Sequence, residues 1–146
     1  MIEIENSKAL TDLFGHWPDF HDAELLTLRL DTTSAEGASL EAEFEVAEMG
    51  EETDERGYYR DRQRARARLR FARLARLQLT DFLHQNVLWS LELTEAGAED
   101  FDPLLGDHPD GRRRYRIRWD SSVGCAADFL CDRLAVVEAV PVARAT

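Results

Sequence analysis

Apolar and polar residues alternate with a period of two along most of the chain, a pattern that predicts a protein built mainly from β-strands. Leu26, Leu28 and Leu30 alternate with Thr27, Arg29 and Asp31, and Leu40, Ala42, Phe44 and Val46 alternate with Glu41, Glu43 and Glu45. Each segment offers one face to a core and one to water. A third strand sets Arg62, Arg64, Arg66, Arg68 and Arg70 against Gln63, Ala65, Ala67, Leu69 and Phe71. Val87, Trp89, Leu91 and Leu93 mark a fourth. Tyr115, Ile117 and Trp119 alternate with Arg114, Arg116 and Arg118 in a fifth, and the last runs from about Ala126 to Val140. One segment differs: residues 6–14 place Ala9, Leu10, Leu13 and Phe14 at helical spacing, with Asn6 or Ser7 as N-cap and Gly15 as stop. Residues 72–86 fit neither period and read as a bulged strand extension followed by a helical turn. The expected fold is α+β, a mostly antiparallel sheet of about six strands with a short N-terminal helix packed on it.

The Arg row of the third strand, taken alone, would suit nucleic acid. The preceding strand carries Glu41, Glu43 and Glu45 at the same period, however, and consecutive antiparallel strands usually pair. The two rows are therefore expected to face each other across the ladder, and Asp128 and Asp132 to answer the second Arg row in the same way. A formal net charge of −11 also repels phosphates, so no nucleic-acid partner is expected.

That charge is unevenly placed. Residues 48–55 carry Glu48, Glu51, Glu52, Asp54 and Glu55, and residues 95–110 carry Glu95, Glu99, Asp100, Asp102, Asp107 and Asp110, with no Lys or Arg in either segment. These eleven acids equal the whole net charge, which leaves a balanced body with two anionic connections. In a six-stranded up-and-down meander both connections leave the same end of the sheet, which would give one anionic edge. Exposed loops are often acidic for solubility alone, so Glu51, Glu52, Asp54, Glu55, Asp100, Asp102, Asp107 and Asp110 are either solvated or a partner-binding surface.

The chain's 146 residues suit a single domain over 1–146. No basic leader and no apolar run of about 18 residues occurs, so neither export nor a membrane partner is expected. Cys125 and Cys131 fall about 20 Å apart at strand rise, too far for a disulfide, which fits a cytoplasmic protein. No nucleophile motif, phosphate-binding glycine loop or zinc spacing appears, and no cofactor is expected.

The densest chemistry is Trp17-Pro18-Asp19-Phe20-His21-Asp22-Ala23-Glu24, which runs directly into the first long strand. A loop this rich in aromatics and charges implies a packing or binding role. With Phe14-Gly15 before it and Asp81-Phe82-Leu83-His84-Gln85-Asn86-Val87 later, it resembles the immunity protein 50 family of bacterial polymorphic-toxin systems. The positions that carry the resemblance are Trp17, Pro18, Phe20, His21, Asp22, Ala23, Glu24, Phe82, Gln85 and Asn86. The resemblance implies an α+β protein, not an enzyme, that binds the C-terminal domain of a cognate toxin and blocks it.

From the residues themselves, Trp17 and Phe20 either wedge the helix on the sheet or contact a partner. Asp22 is expected to accept backbone N–H groups and orient His21, Glu24 to sit at the mouth of the apolar face or pair with an Arg, and Asn86 to bridge a turn before the fourth strand. The rival is a small metal-dependent hydrolase centred on His21, Asp22 and Glu24. The His21-Asp22 dipeptide is similar to that of HD-type phosphohydrolases, but those need further His and Asp ligands on helices.

Overall fold

The structure, a computed structural model, describes residues 2–53, 55–97, 100 and 114–143, with only the backbone of 51, 52 and 59–62. The strands are β1 (Ile4–Glu5), β2 (Glu24–Asp31), β3 (Ser39–Thr53), β4 (Tyr59–Ala72), β5 (Ala75–Thr80), β6 (Val87–Glu95), β7 (Tyr115–Val123), β8 (Ala126–Cys131) and β9 (Arg133–Pro141), and α1 spans Lys8–Phe14. Among the described residues these nine strands form one sheet in the order β1-β9-β4-β3-β2-β6-β7-β8-β5.

The sheet has nine strands rather than about six for two reasons. β1 adds a two-residue parallel pairing on β9, and two long strands are bent. β4 continues into β5 through Arg73 and Leu74, and β8 into β9 through Asp132. The bent strands pair along both halves, Phe71 with Leu134 below the bend and Ala75 with Leu130 above it. Because β4 lies inside the strand order and its continuation β5 at the edge, the sheet folds back on itself around the core. Asp132 pins the bend: its N–H donates to the Ala72 carbonyl, and its buried carboxylate lies 2.7 Å from Arg114 Nε and 3.2 Å from Arg73 Nε.

A plain meander is therefore not what forms. β2-β3-β4 and β6-β7-β8 are each consecutive, but β6 pairs with β2 instead of β5, and β5 pairs with β8. The strand extension expected within 72–86 is β5. The helical turn after it is absent, because Asn86 organises that segment. Its Oδ1 accepts the Leu83 N–H at 2.9 Å and the Cys125 N–H at 3.0 Å, and its Nδ2 donates to the Leu83 carbonyl at 2.8 Å. Asn86 is 2% exposed, where unpaired amide groups would be costly.

The Arg and Glu rows meet as their spacing predicts, Glu41 opposite Arg70, Glu43 opposite Arg68 and Glu45 opposite Arg66. Glu45 bridges Arg64 and Arg66, while Arg68 reaches Glu138 on β9 at 2.8 Å. The opposite face of β4, Ala65, Ala67, Leu69 and Phe71, is fully buried. Arg116 pairs with Asp128 at 3.0 Å, so the second Arg row is answered too.

Two parities differ from the sequence pattern, each at a bulge. The β2–β3 register slips between Leu25 and Thr27, which turns Leu25 inward in place of Leu26. Leu28 and Leu30 keep the expected parity opposite Ala42 and Leu40, and Leu30, near the strand end, is 55% exposed. On β6 the register slips between Leu88 and Ser90, so Leu88 is buried and Trp89 is 60% exposed. An extra residue in one strand flips every later side chain to the other face.

The core is an aromatic chain. Phe20 packs edge-on to Phe44 at 5.5 Å, Phe44 to Trp119 at 5.5 Å, Trp119 to Phe129 at 5.9 Å and Phe129 to Phe71 at 5.0 Å. α1 adds Leu10 and Phe14 to it. Ser7 stands at the N-cap without a side-chain bond, and Gly15 closes the helix in the left-handed region. Both cysteines are buried and free. Among the described residues no helix is long and apolar enough to cross a membrane.

Gly124 tests the Asn86 turn. Its φ is +80°, and a Cβ there would stand 2.5 Å from the Gln85 carbonyl oxygen and closer still to Asn86 Oδ1. Gly15 has a similar φ of +84° with nothing near its missing Cβ. Gly15→Ala should cost about 1 kcal/mol, the price of the backbone conformation alone. Gly124→Ala should cost at least about 3 kcal/mol, since it adds a clash and breaks a buried hydrogen-bond network. Urea denaturation of the two variants measures the difference.

Candidate functional site

Residues 16–24 fill a seam. β2 joins β6 through one ladder step, Glu24 with Val87, and β3 meets β2 at the same level, Glu24 with Glu45. Beyond it β3 and β6 run on without β2 between them, and the loop before β2 bridges the gap. His16 contacts Glu48 on the β3 side. On the β6 side the Asp22 N–H donates to the Leu88 carbonyl, and the Leu88 N–H to the Ala23 carbonyl.

The motif divides by burial. Pro18, Phe20, Ala23 and Asn86 are buried, Trp17 and Glu24 are half-buried, and His21, Asp22, Phe82 and Gln85 are exposed. Trp17 leans on Phe20 with ring centroids 5.7 Å apart. The aromatics therefore wedge the loop into the core, through Phe20 above all.

His21 sits at the corner. Its Nδ1 is 2.8 Å from the Trp89 carbonyl, and since a carbonyl can only accept, Nδ1 carries a proton. Asp19 Oδ1, not Asp22, accepts the His21 backbone N–H at 2.8 Å. Asp22 takes a left-handed φ of +63°, and its carboxylate lies 3.6 Å from His21 Nε2. The hydrogen bond to the Trp89 carbonyl raises the His21 pKa above its ordinary value, outweighing the lowering by desolvation, and the charges of Asp22 and then Asp19 add to the rise. The imidazole also meets the Trp89 ring edge-on at 4.8 Å.

His16 and His21 thus engage opposite walls of the seam. Among the described residues no three His, Cys, Asp or Glu side chains are grouped to hold a metal. The arrangement can bind, and it holds one exposed indole beside an imidazole and two carboxylates.

The acidic positions that are described differ in burial. Asp100 is buried, at 8% exposure, accepting from Gly97 N–H and pairing with Arg116 at 3.4 Å, so it is spent inside the fold. Glu55 is exposed. Asp54, Asp102, Asp107 and Asp110, and the side chains of Glu51 and Glu52, lie outside the described residues. By register β3 and β6 run in the same direction beyond the level of Glu24, so the strands that lead into the two acidic segments leave the seam on one side. Most of the second segment lies outside the described residues.

The family model for immunity protein 50 matches residues 6–139, a span that takes in α1, the seam loop and every strand from β2 to β8. The chain belongs to the immunity protein 50 family. No curated protein and no solved structure matches it. An immunity role implies a protein partner, and the exposed part of the family motif is His21 and Asp22 with Phe82 and Gln85. Sequence reasoning missed Trp89 as a surface residue. The adjacent apolar pair Leu88-Trp89 leaves the strand parity ambiguous, and only the bulge decides it.

The His21 environment makes a measurable prediction. An NMR titration of its ring protons should show a midpoint above about 6.5, and Asp22→Asn should lower it. Because the folded pKa is raised, the stabilisation from this contact is complete below the unfolded value and is lost as pH rises through the folded one.

Proposed function

We propose that the protein is a cytoplasmic, non-catalytic inhibitor that binds a cognate bacterial toxin domain and occludes it. The family match across residues 6–139 carries this reading. The local chemistry supports it. The polar groups of the motif are engaged in holding the fold: His21 Nδ1 by the Trp89 carbonyl, Asp19 by the His21 N–H, and Asn86 by Leu83 and Cys125. Hydrolysis would need them convergent on a substrate or metal.

The anionic hairpin between β3 and β4, Glu51, Glu52, Asp54 and Glu55, steers the complex toward a basic site on the toxin. Asp102, Asp107 and Asp110 add to the same field from the β6–β7 connection. A nuclease is the toxin class that suits such a partner, since its phosphate-binding cleft is cationic.

Cells expressing the toxin domain encoded beside this gene should grow when this protein is co-expressed, and the two should co-purify. With His21→Ala binding should weaken, since the imidazole steadies the contact surface, but protection should persist. Its loss in a folded variant, together with stoichiometric bound metal in the parent protein, would favour the hydrolase instead. Neutralising Glu51, Glu52, Asp54 and Glu55 together should slow association roughly tenfold at low ionic strength and flatten its salt dependence. Stopped-flow mixing reads both, and an unchanged rate would remove the steering role.

A further inference from the structure

We propose that Trp89, flanked by His21, Asp22 and Asp19, is the anchor of the toxin interface and receives a basic side chain, Arg or Lys, of the toxin domain. This rests on the immunity reading and assigns it a site.

Trp89 is outside for a structural reason. The slip between Leu88 and Ser90 turns Leu88 into the core and directs the indole to solvent on a strand that is otherwise apolar inward. Bulges commonly re-aim a side chain in this way. Exposed Trp is unusual, and Trp is enriched among the few residues that dominate binding energy.

The indole is also held in place. Its own carbonyl accepts from His21 Nδ1, and its ring rests against the imidazole at 4.8 Å. An ordered side chain loses less freedom when a partner docks.

Charge selects the partner. Residues 16–28 and 81–97, which hold the seam loop, the start of β2, the Asn86 turn and β6, contain no Lys or Arg. Asp19 and Asp22 are exposed beside His21, and Asp120 is the ladder partner of Ser90. The nearest Arg on β7, Arg118, lies 3.4 Å from Asp120. A cation over an indole face gains from the ring quadrupole, and the carboxylates beside it add charge-assisted hydrogen bonds.

Further apolar surface lies along the same strand pair: Val123, the ladder partner of Val87, is exposed, and Phe82 and Leu83 are each more than half exposed in the turn that precedes β6. The seam loop then links this patch through His16 and Glu48 to the strand that carries the acidic hairpin. A basic toxin face drawn in by the hairpin would meet the indole next.

The test uses the full-length protein and the purified toxin domain encoded beside the gene, with affinity measured by calorimetry. Trp89→Ala should weaken binding about 30-fold or more, and Trp89→Phe, which keeps an aromatic face, clearly less. Asp22→Lys should weaken it further than Asp22→Asn. Thermal unfolding at the parent temperature shows each variant to be folded. Trp89 emission should shift to shorter wavelength on binding. Tight binding by the parent with Trp89→Ala within threefold of it would overturn the anchor and leave the immunity reading standing. No binding by the parent would overturn both. Sedimentation of the free protein as a dimer that Trp89→Ala dissociates would assign the patch to a second copy of the chain and overturn the proposal.

Discussion

The molecule depends on a seam that carries almost no ladder. The two consecutive three-strand units meet on one side through the long β4–β9 and β5–β8 pairings. On the other side only Glu24 and Val87 are in register between β2 and β6, with flanking bonds from Asp22, Leu25 and Leu88. So short a pairing contributes little by itself. What holds it is what lies beneath and beside it. Phe20 continues the aromatic chain from Phe44 through Trp119, and the Asn86 amide ties the approach to β6 onto the β7–β8 turn at Cys125. Gly124 is required there because nothing larger than hydrogen fits against Asn86.

Much of the fold was legible because strand periodicity is a local property. The Glu and Arg rows, the inward Ala65 to Phe71 face and the pairing of Asp128 and Asp132 with the second Arg row all follow from a period of two and adjacency. Illegible were the places where one residue breaks the count. Leu26 and Trp89 each sit at a slip, and no residue type there announces a bulge. The pairing of β6 with β2 was equally hidden, since it is decided by long-range bonds from Asn86 and Ala23. The candidate site suffered the same fault: its loop was found, while its most exposed aromatic was assigned to the core.

Charge pairing explains why the remaining field is concentrated. Arg64 and Arg68 of β4 and Arg116 and Arg118 of β7 face carboxylates on the same or adjacent strands, Glu45, Glu138, Asp128 and Asp120. Exposed pairs of this kind add little stability, about 0–1 kcal/mol each. Their larger effect is to cancel the field of the sheet's outer face, so that attraction at a distance comes from the acid-only segments. Among the described residues, β3, which leads into the acidic hairpin, reaches the seam loop through Glu48 and His16.

The same short loop then serves fold and surface with different residues. Phe20, Pro18 and Ala23 face inward and His21 and Asp22 outward, an alternation that a turn with Asp22 in the left-handed region permits. The consequence is a separable pair of sensitivities. Truncating Phe20 removes a core ring and weakens the seam, so any loss of binding would follow loss of structure. Changing Asp22 leaves the aromatic chain untouched and alters only what the surface offers. A loop that is plug on one side and contact on the other keeps its exposed groups ordered by the core beneath them, and such order lowers the entropic cost of recognition.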